Sequence, residues 1–518
     1  MTDDRELDRG TVLALAAMAL AVFLIANDFT ALSVALPNIE REFDSDVATV
    51  QWVINGYALV FGVFIVTGGR LADMYGRRRL FFVGAGIFAA FSAVAAIAPT
   101  LPVLLGARAL MGIGGAIMWP AVLGMTFALL PARKAGLAGG LVLGVAGLGN
   151  AFGPLLGGLL TEELSWRWVF AINLPVAAAA AFVTWRRIHQ PVQRDAAARI
   201  DALGVATLTV ALVALLLALD EVTDLGWGDP PILVLLAVFV VAMAAFVAVE
   251  RRMGENALVP RDVMRNSEFT SACVAVLFTA ATFFASLLYL PQFFQKLLGD
   301  SPLEAGFALV PLMATFALVS FVAGGLYERL GAKPILSLGV GLMFLGILLL
   351  SFVGEDSGYG ATVPGMLILG GGFGLFISTI TTAAVTSLAE ARASLGGAIL
   401  YMFQVAGGSV GLALTTTIFA RASQDRLAAD VAAAGLRAGD EEVNDVQGIL
   451  AGTDSAQQVL QQLPGRGAQI TELVRDAFVH GMTVAFRVDA ALALVGVAVT
   501  VGFVGGRLRP RRARTTSG

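Results

Sequence analysis

An all-α polytopic membrane protein is the fold class that the sequence predicts, and three observations carry it. The 518-residue chain is 57% hydrophobic and only 14% charged, with a mean hydropathy of +0.81, whereas a soluble domain holds about 25% charged residues. Its apolar residues come in long runs, and a hydrocarbon core of ~30 Å needs about 20 of them in a helix. The runs are continuous rather than alternating over ~10 residues, which excludes a spanning barrel.

Fourteen such runs lie near residues 11–36, 49–69, 80–98, 102–128, 137–160, 168–185, 201–219, 231–249, 269–290, 304–325, 334–353, 362–386, 395–420 and 481–505. They are numbered below as spans one to fourteen. The leading MTDDRELDRG is acidic rather than basic, and no small-residue cleavage site follows a short apolar core, so span one is expected to be retained. With the N-terminus inside, the cytoplasmic segments hold twenty-four Lys and Arg, against Arg41, Arg167 and Lys296 in the short outer loops. Positive charge is kept on the cytoplasmic side, so both termini are expected there, in the cytoplasmic membrane. Residues 421–480 form a long outer connection, in which DVQGILAG (445–452) and ITELVRDAFVHG (470–481) have helical apolar spacing and predict short surface helices.

Asp28 stands inside span one. A lone carboxylate there costs about 2.5–3.5 kcal/mol on insertion scales, so its default reading is a proton or substrate site. Arg108 of span four is a second intramembrane charge. Counted from the outer helix ends at ~1.5 Å per residue, the two lie roughly 12 and 9 Å deep and can be level. Burial favours a neutral carboxyl and a nearby guanidinium favours the anion, so a pair that separates would gain and lose a proton with conformation. A structural carboxylate and a snorkelling Arg108 are the plain alternatives. Arg487 and Asp489 of span fourteen do not face each other at i and i+2, and they read as interfacial.

An internal repeat is also legible. Gly69-Arg70-Leu71-Ala72-Asp73-Met74-Tyr75-Gly76-Arg77-Arg78-Arg79 closes span two, and Gly325-Leu326-Tyr327-Glu328-Arg329-Leu330-Gly331-Ala332-Lys333 closes span ten. With Gly76 on Gly331, Asp73 falls on Glu328 and Arg78 on Lys333. The copies are eight spans apart, which divides the chain into an N-terminal six-helix bundle (1–185), a two-helix insert of spans seven and eight with flanking loops (186–267), and a C-terminal six-helix bundle (268–518). Asp73 can pair with Arg77 and face the positive end of another helix. In span five, Gly149, Gly153 and Gly157 at i, i+4 and i+8 clear one helix face for close approach. Pro154 interrupts the hydrogen-bond ladder beside them and permits a bend.

These residues resemble the major facilitator superfamily, and within it the fourteen-span drug/proton antiporters. The span-two loop is similar to the superfamily's cytoplasmic signature, and Gly149-Asn150-Ala151-Phe152-Gly153-Pro154-Leu155-Leu156-Gly157-Gly158 is similar to its antiporter signature. Asp28-Phe29-Thr30, Trp166-Arg167-Trp168, Asn173-Leu174-Pro175 and Leu290-Pro291-Gln292 resemble the fourteen-span branch. The resemblance implies a major facilitator fold of two pseudo-symmetric bundles, with proton coupling at Asp28 and Arg108. It also implies a conformational latch at Asp73, with Arg77, against span thirteen near Ser394, and a matching one at Glu328 against span five. Where the family carries Gln three residues after the Arg, this chain has Met111, one polar cavity contact fewer. Asn55, Tyr57, Trp119, Asn150, Thr379, Tyr401 and Gln404 fall on spans that line the family's substrate cavity. Their aromatic and amide groups suit large amphiphilic or cationic compounds.

Negative evidence narrows the chemistry. There is no phosphate-binding G-x-x-x-x-G-K-[ST] loop, so no ATP drive is expected. One cysteine (Cys273) and two histidines (His189, His480) make no metal cluster or disulfide. Nothing pairs a nucleophile with a base, so an enzyme is not expected, nor is any cofactor or nucleic-acid partner. The reading is a monomeric, proton-coupled exporter of drug-like molecules; the alternative is a symporter, or an exporter of one metabolite, lipid or natural product. A non-transporting sensor would need an appended soluble domain, for which the tails are too short.

Overall fold

Lipid-facing Leu, Val, Ala and Phe leave the backbone no polar partner but itself, so each apolar run closes its own hydrogen bonds as a helix. The computed structural model describes residues 8–45, 47–189, 201–254, 257–433 and 467–503. Among them, fourteen helices are long and apolar enough to cross a bilayer: Arg9–Thr30, Thr49–Tyr75, Arg77–Ala96, Leu101–Leu129, Ala132–Glu163, Arg167–Arg187, Ala202–Val222, Pro230–Met253, Ser267–Leu298, Leu303–Leu330, Ala332–Leu350, Tyr359–Ser387, Glu390–Asp430 and Glu472–Gly502. Each predicted run has its helix, and the described chain contains no strand.

Helix ends follow local chemistry. Asp8 accepts from the Thr11 amide at the start of span one, and Asn266 from the Phe269 amide at the start of span nine, which satisfies donors that the first turn leaves open. The repeat has a backbone counterpart. Gly76 (φ 99°) and Gly331 (φ 79°) each separate one helix from the next in the left-handed region where only glycine is unstrained.

Span six packs on spans one, three and five, and span fourteen packs on spans nine, eleven and thirteen, the same set moved by eight. Spans seven and eight pair with each other; span seven also touches two and thirteen, while span eight is the least enclosed of all. Contacts between the first six spans and the last six run chiefly through five against ten, five against twelve and two against thirteen. At the end that carries the two repeat loops these contacts reach the backbone. A Cβ on Gly136 would lie 2.3 Å from the Gly324 carbonyl oxygen, and one on Gly69 2.6 Å from Ala398 Cβ and 2.9 Å from the Ser394 carbonyl oxygen. The two halves meet directly at that end.

The long outer connection differs from expectation. ITELVRDAFVHG is no separate surface helix; it forms early turns of the helix Gly467–Phe503, and span thirteen's helix continues to Ala433. Arg426 ties these extensions together: its Nε lies 3.0 Å from Asp430 and 2.6 Å from Asp476, pinning one helix to the other. DVQGILAG lies outside the described residues.

Candidate functional site

Spans one and four bring Asp28 and Arg108 together. Both side chains are wholly buried, and Arg108 Nη1 is ion-paired with Asp28 Oδ2. Arg108 Nε donates to the Val53 carbonyl at 2.7 Å, and its guanidinium lies 4.3 Å from the Tyr57 ring centre and 5.7 Å from that of Phe170. The other Asp28 oxygen accepts from Asn173 Nδ2 at 3.1 Å. Asn173 is set in turn by Ser92, 3.0 Å away, whose hydroxyl donates to the Phe170 carbonyl. Both carboxylate oxygens and two of the three guanidinium nitrogens thus have partners, as a buried charge pair requires, while Arg108 Nη2 has no hydrogen-bond partner. In the sequence Asn173 was read only as part of the Asn173-Leu174-Pro175 resemblance, with no role at Asp28, and Ser92 was not singled out.

An aromatic chain runs from this pair towards the middle of the molecule. Phe29 contacts Tyr57 and Phe61 with ring centres 4.8 and 5.2 Å apart, Phe61 contacts Tyr401 at 5.6 Å, and Tyr401 contacts Trp119 at 4.8 Å. Trp119, Tyr401 and Gln404 then line a small central cavity with Leu123, Leu143 and Thr381. Its volume of about 10 Å³ holds on the order of one water, so a drug-sized ligand needs the halves to part.

The remaining cavity candidates divide. Tyr57 is buried against Arg108 rather than open to the cavity. Thr379 is buried two positions away from the lining Thr381, and its hydroxyl has no partner. Asn150 offers its backbone carbonyl to the Thr30 hydroxyl at 3.1 Å. Asn55 is misplaced by the sequence reading: its amide donates to Asp220 of span seven at 3.2 Å, because the insert packs against span two there.

The glycine face of span five meets span one, the helix that carries Asp28. A Cβ on Gly149 would lie 2.8 Å from Ala26 Cβ, one on Gly153 1.9 Å from Thr30 Oγ1, and one on Gly157 1.9 Å from the Ala31 carbonyl oxygen. Pro154, inside the same helix, faces Gly306 at the start of span ten. The stripe therefore brings two backbones together beside the buried acid.

At the end of the bundle that carries the repeat loops, Asp73 accepts from the backbone amides of Ser394 (3.3 Å) and Leu395 (2.9 Å) at the N-terminus of span thirteen's helix. Arg77 Nε lies 3.2 Å from the same carboxylate, and Arg77 also donates to the Gly124 and Glu390 carbonyls. Glu328 accepts from the Leu137 amide near the start of span five, with Lys134 and Arg133 close by.

Two further groups were missed or misread. In the outer loop, Glu42 accepts from Trp166 Nε1 and Arg167 Nη1, both at 2.7 Å. Burial pushes the Glu42 carboxyl up, but those hydrogen bonds and the Arg167 charge together hold it below its ordinary value. Asp489 is not interfacial. It is wholly buried, and its Oδ1 accepts from Thr415 of span thirteen at 2.8 Å, whereas Arg487 is exposed. The i, i+2 argument considered span fourteen alone and not the neighbours that enclose one side of it.

The comparisons with known proteins agree with this architecture. A family profile described as Major Facilitator Superfamily matches residues 18–412. The chain is 32% identical to a tetracenomycin C resistance and export protein of Streptomyces glaucescens, over 94% of this chain and 90% of that one. It is 29% identical to multidrug resistance protein 3 of Bacillus subtilis, over 96% and 95%, and 32% identical to the multidrug resistance protein Stp of Mycobacterium tuberculosis, over 80% and 77%. The crystal structure of the human organic anion transporter MFSD10 superposes with a TM-score of 0.60 at 13% identity, covering 95% of this chain and 99% of that one, a likeness of fold. Relatives aligned nearly end to end and fourteen candidate spans leave one conclusion: the chain is a transporter, not an enzyme, and belongs to the major facilitator superfamily, where it fits the fourteen-span drug/proton antiporter type.

Proposed function

We propose that this protein is a proton-coupled antiporter that exports drug-like amphiphilic or cationic molecules across the cytoplasmic membrane by alternating access, with both termini in the cytoplasm. The observation that carries the reading is the buried Asp28–Arg108 pair, joined by aromatic contacts to the cavity at Trp119, Tyr401 and Gln404. The resistance and export functions named for the relatives support the direction.

A proton reaching Asp28 from outside cancels its attraction for Arg108, which keeps the Val53 carbonyl and the Tyr57 face as partners. Span one is then free to shift against spans four and five, the cytoplasmic side opens, and the proton leaves inward as substrate enters. Ionised Asp28 restores the pair and the closed mouth, and the substrate exits outward. Each proton moved contributes about 2.3 kcal/mol per 100 mV. The two bundles 1–185 and 268–518 are the moving bodies, and spans seven and eight are accessory.

Asp73 acts as the latch on this cycle, and Glu328 as its counterpart. Charge-assisted hydrogen bonds contribute about 1.5–3 kcal/mol each, so Asp73→Asn is expected to shift the closed-to-open ratio by roughly tenfold or more. Fluorescence transfer between cytoplasmic labels on the two bundles should fall in this variant while Asp28 is untouched. An unaltered distance distribution would refute the latch.

The antiport reading itself is tested in proteoliposomes. Ethidium movement should drive protons the opposite way, whereas symport would move both in one direction, and the sign of the pH change decides between them.

A further inference from the structure

Asp489 is a buried acid, deep within a span, that the mechanism above leaves unused. It lies within span fourteen, 0% exposed. Thr415 donates to its Oδ1 at 2.8 Å, the Thr282 hydroxyl of span nine donates to its backbone carbonyl at 3.3 Å, and its Oδ2 is buried without a hydrogen-bond partner. A carboxylate held as an anion within protein collects several donors or a cation. Here a single hydroxyl serves the whole carboxyl group.

Its surroundings supply no countercharge among the described residues. From span nine, the titratable neighbour is Tyr289, whose hydroxyl donates instead to Thr416 at 3.2 Å. The only charged residue of span eleven, Lys333, stands at its cytoplasmic start. The charges of span thirteen's outer end begin at Arg421, beyond Thr415, and two of them, Arg426 and Asp430, pair with each other. Arg487, two positions away on the same helix, is exposed. Towards the outside, Tyr289, Phe419, Phe478 and Phe486 pack ring against ring over the site.

The repeat gives this position its meaning. Span fourteen takes in the second half the place that span six takes in the first, and span six contributes Asn173 to Asp28. Each half thus buries one acid where its first and sixth helices meet, Asp28 on the first and held from the fourth and sixth, Asp489 on the sixth and held from the first and fifth, and only the first half provides an arginine. We infer that Asp489 is a second proton-binding site, neutral while the cytoplasmic mouth is closed and ionised when the packing of spans nine, thirteen and fourteen opens, so that each half carries one coupled proton. Proton holding stands apart from the antiport reading, and the coupling rests on it.

The test uses the full chain in lipid bilayers. Infrared spectra at neutral pH should show a protonated-carboxyl carbonyl band that Asp489→Asn lacks; loss of a carboxylate band instead overturns the assignment. Asn has the shape and acceptor of the neutral acid and is expected to fold. If it does not, Asp489→Glu, which should move that band without removing it, supplies the readout. In proteoliposomes with a tenfold proton gradient, no membrane potential and ethidium as probe, each coupled proton multiplies the steady ethidium gradient about tenfold. Asp489→Asn should therefore hold about one-tenth of the wild-type gradient, and an unchanged gradient overturns the coupling. Wild-type protein with no proton-driven gradient defeats the antiport reading rather than this site, and the infrared bands then decide alone.

Discussion

Asp28→Asn is expected to abolish proton-coupled efflux while the protein still inserts and folds. The amide has the size of the carboxyl and can keep the hydrogen bond with Asn173, so the packing of span one has no reason to collapse. What it cannot do is exchange a proton or balance Arg108. Removing one partner of a buried ion pair typically costs about 3–5 kcal/mol. Arg108 retains the Val53 carbonyl and the Tyr57 and Phe170 faces, and a desolvated cation–π contact offsets about 2 kcal/mol of that. The variant should thus be less stable but present in the membrane. Efflux of ethidium from a sensitised host is the measurement, with membrane abundance as control. Efflux equal to wild type, still collapsing when the pH gradient is removed, would eliminate Asp28 as the coupling group.

Gly157→Ala should be the second severe lesion, from one methyl group. Its Cβ would come within 1.9 Å of the Ala31 carbonyl oxygen. The obstacle is backbone, with no side chain to swing aside, so span five must back away from span one. Overpacking of this kind costs about 1–3 kcal/mol. The displacement falls one helical turn from Asp28 and disturbs the alignment of the pair, and transport is expected to drop by at least about tenfold. Gly86→Ala in span three is the matched control: nothing lies within 4 Å of its added Cβ, and alanine favours the helix by about 0.8–1.0 kcal/mol. Equal activity in the two variants would show that the close approach of spans one and five is dispensable.

Apolar run length made the helices legible before any coordinates, because a bilayer accepts little else. The pairing of Asp28 with Arg108 was legible for a related reason: depth along a spanning helix can be counted from its ends, so level residues can be found in one dimension. Counting depth says nothing about rotation or lateral neighbours. That is why Asn55, assigned to the cavity by its span, turns out to face Asp220 of the insert, and why Asp489 was read as wetted when spans nine and thirteen enclose it. The second ligand of Asp28 was hidden likewise, since Asn173 matters only through the tertiary crossing of span six over span one. The extension of span fourteen was legible as a helix from its apolar spacing but not as continuous with the span, and that of span thirteen was not legible, because it is polar and held by Arg426, and hydropathy carries no signal for an ion-paired helix.

Span thirteen's 41-residue helix is about 60 Å long at 1.5 Å per residue, and four of the features described above lie along it. Its first turn receives Asp73, Tyr401 and Gln404 sit at the cavity, Thr415 holds Asp489, and Arg426 binds the outer extension of span fourteen. Gly407 and Gly411 bring it directly onto Leu277 and Ala281 of span nine, so a tilt of this one rigid helix about that contact would displace both of its ends at once.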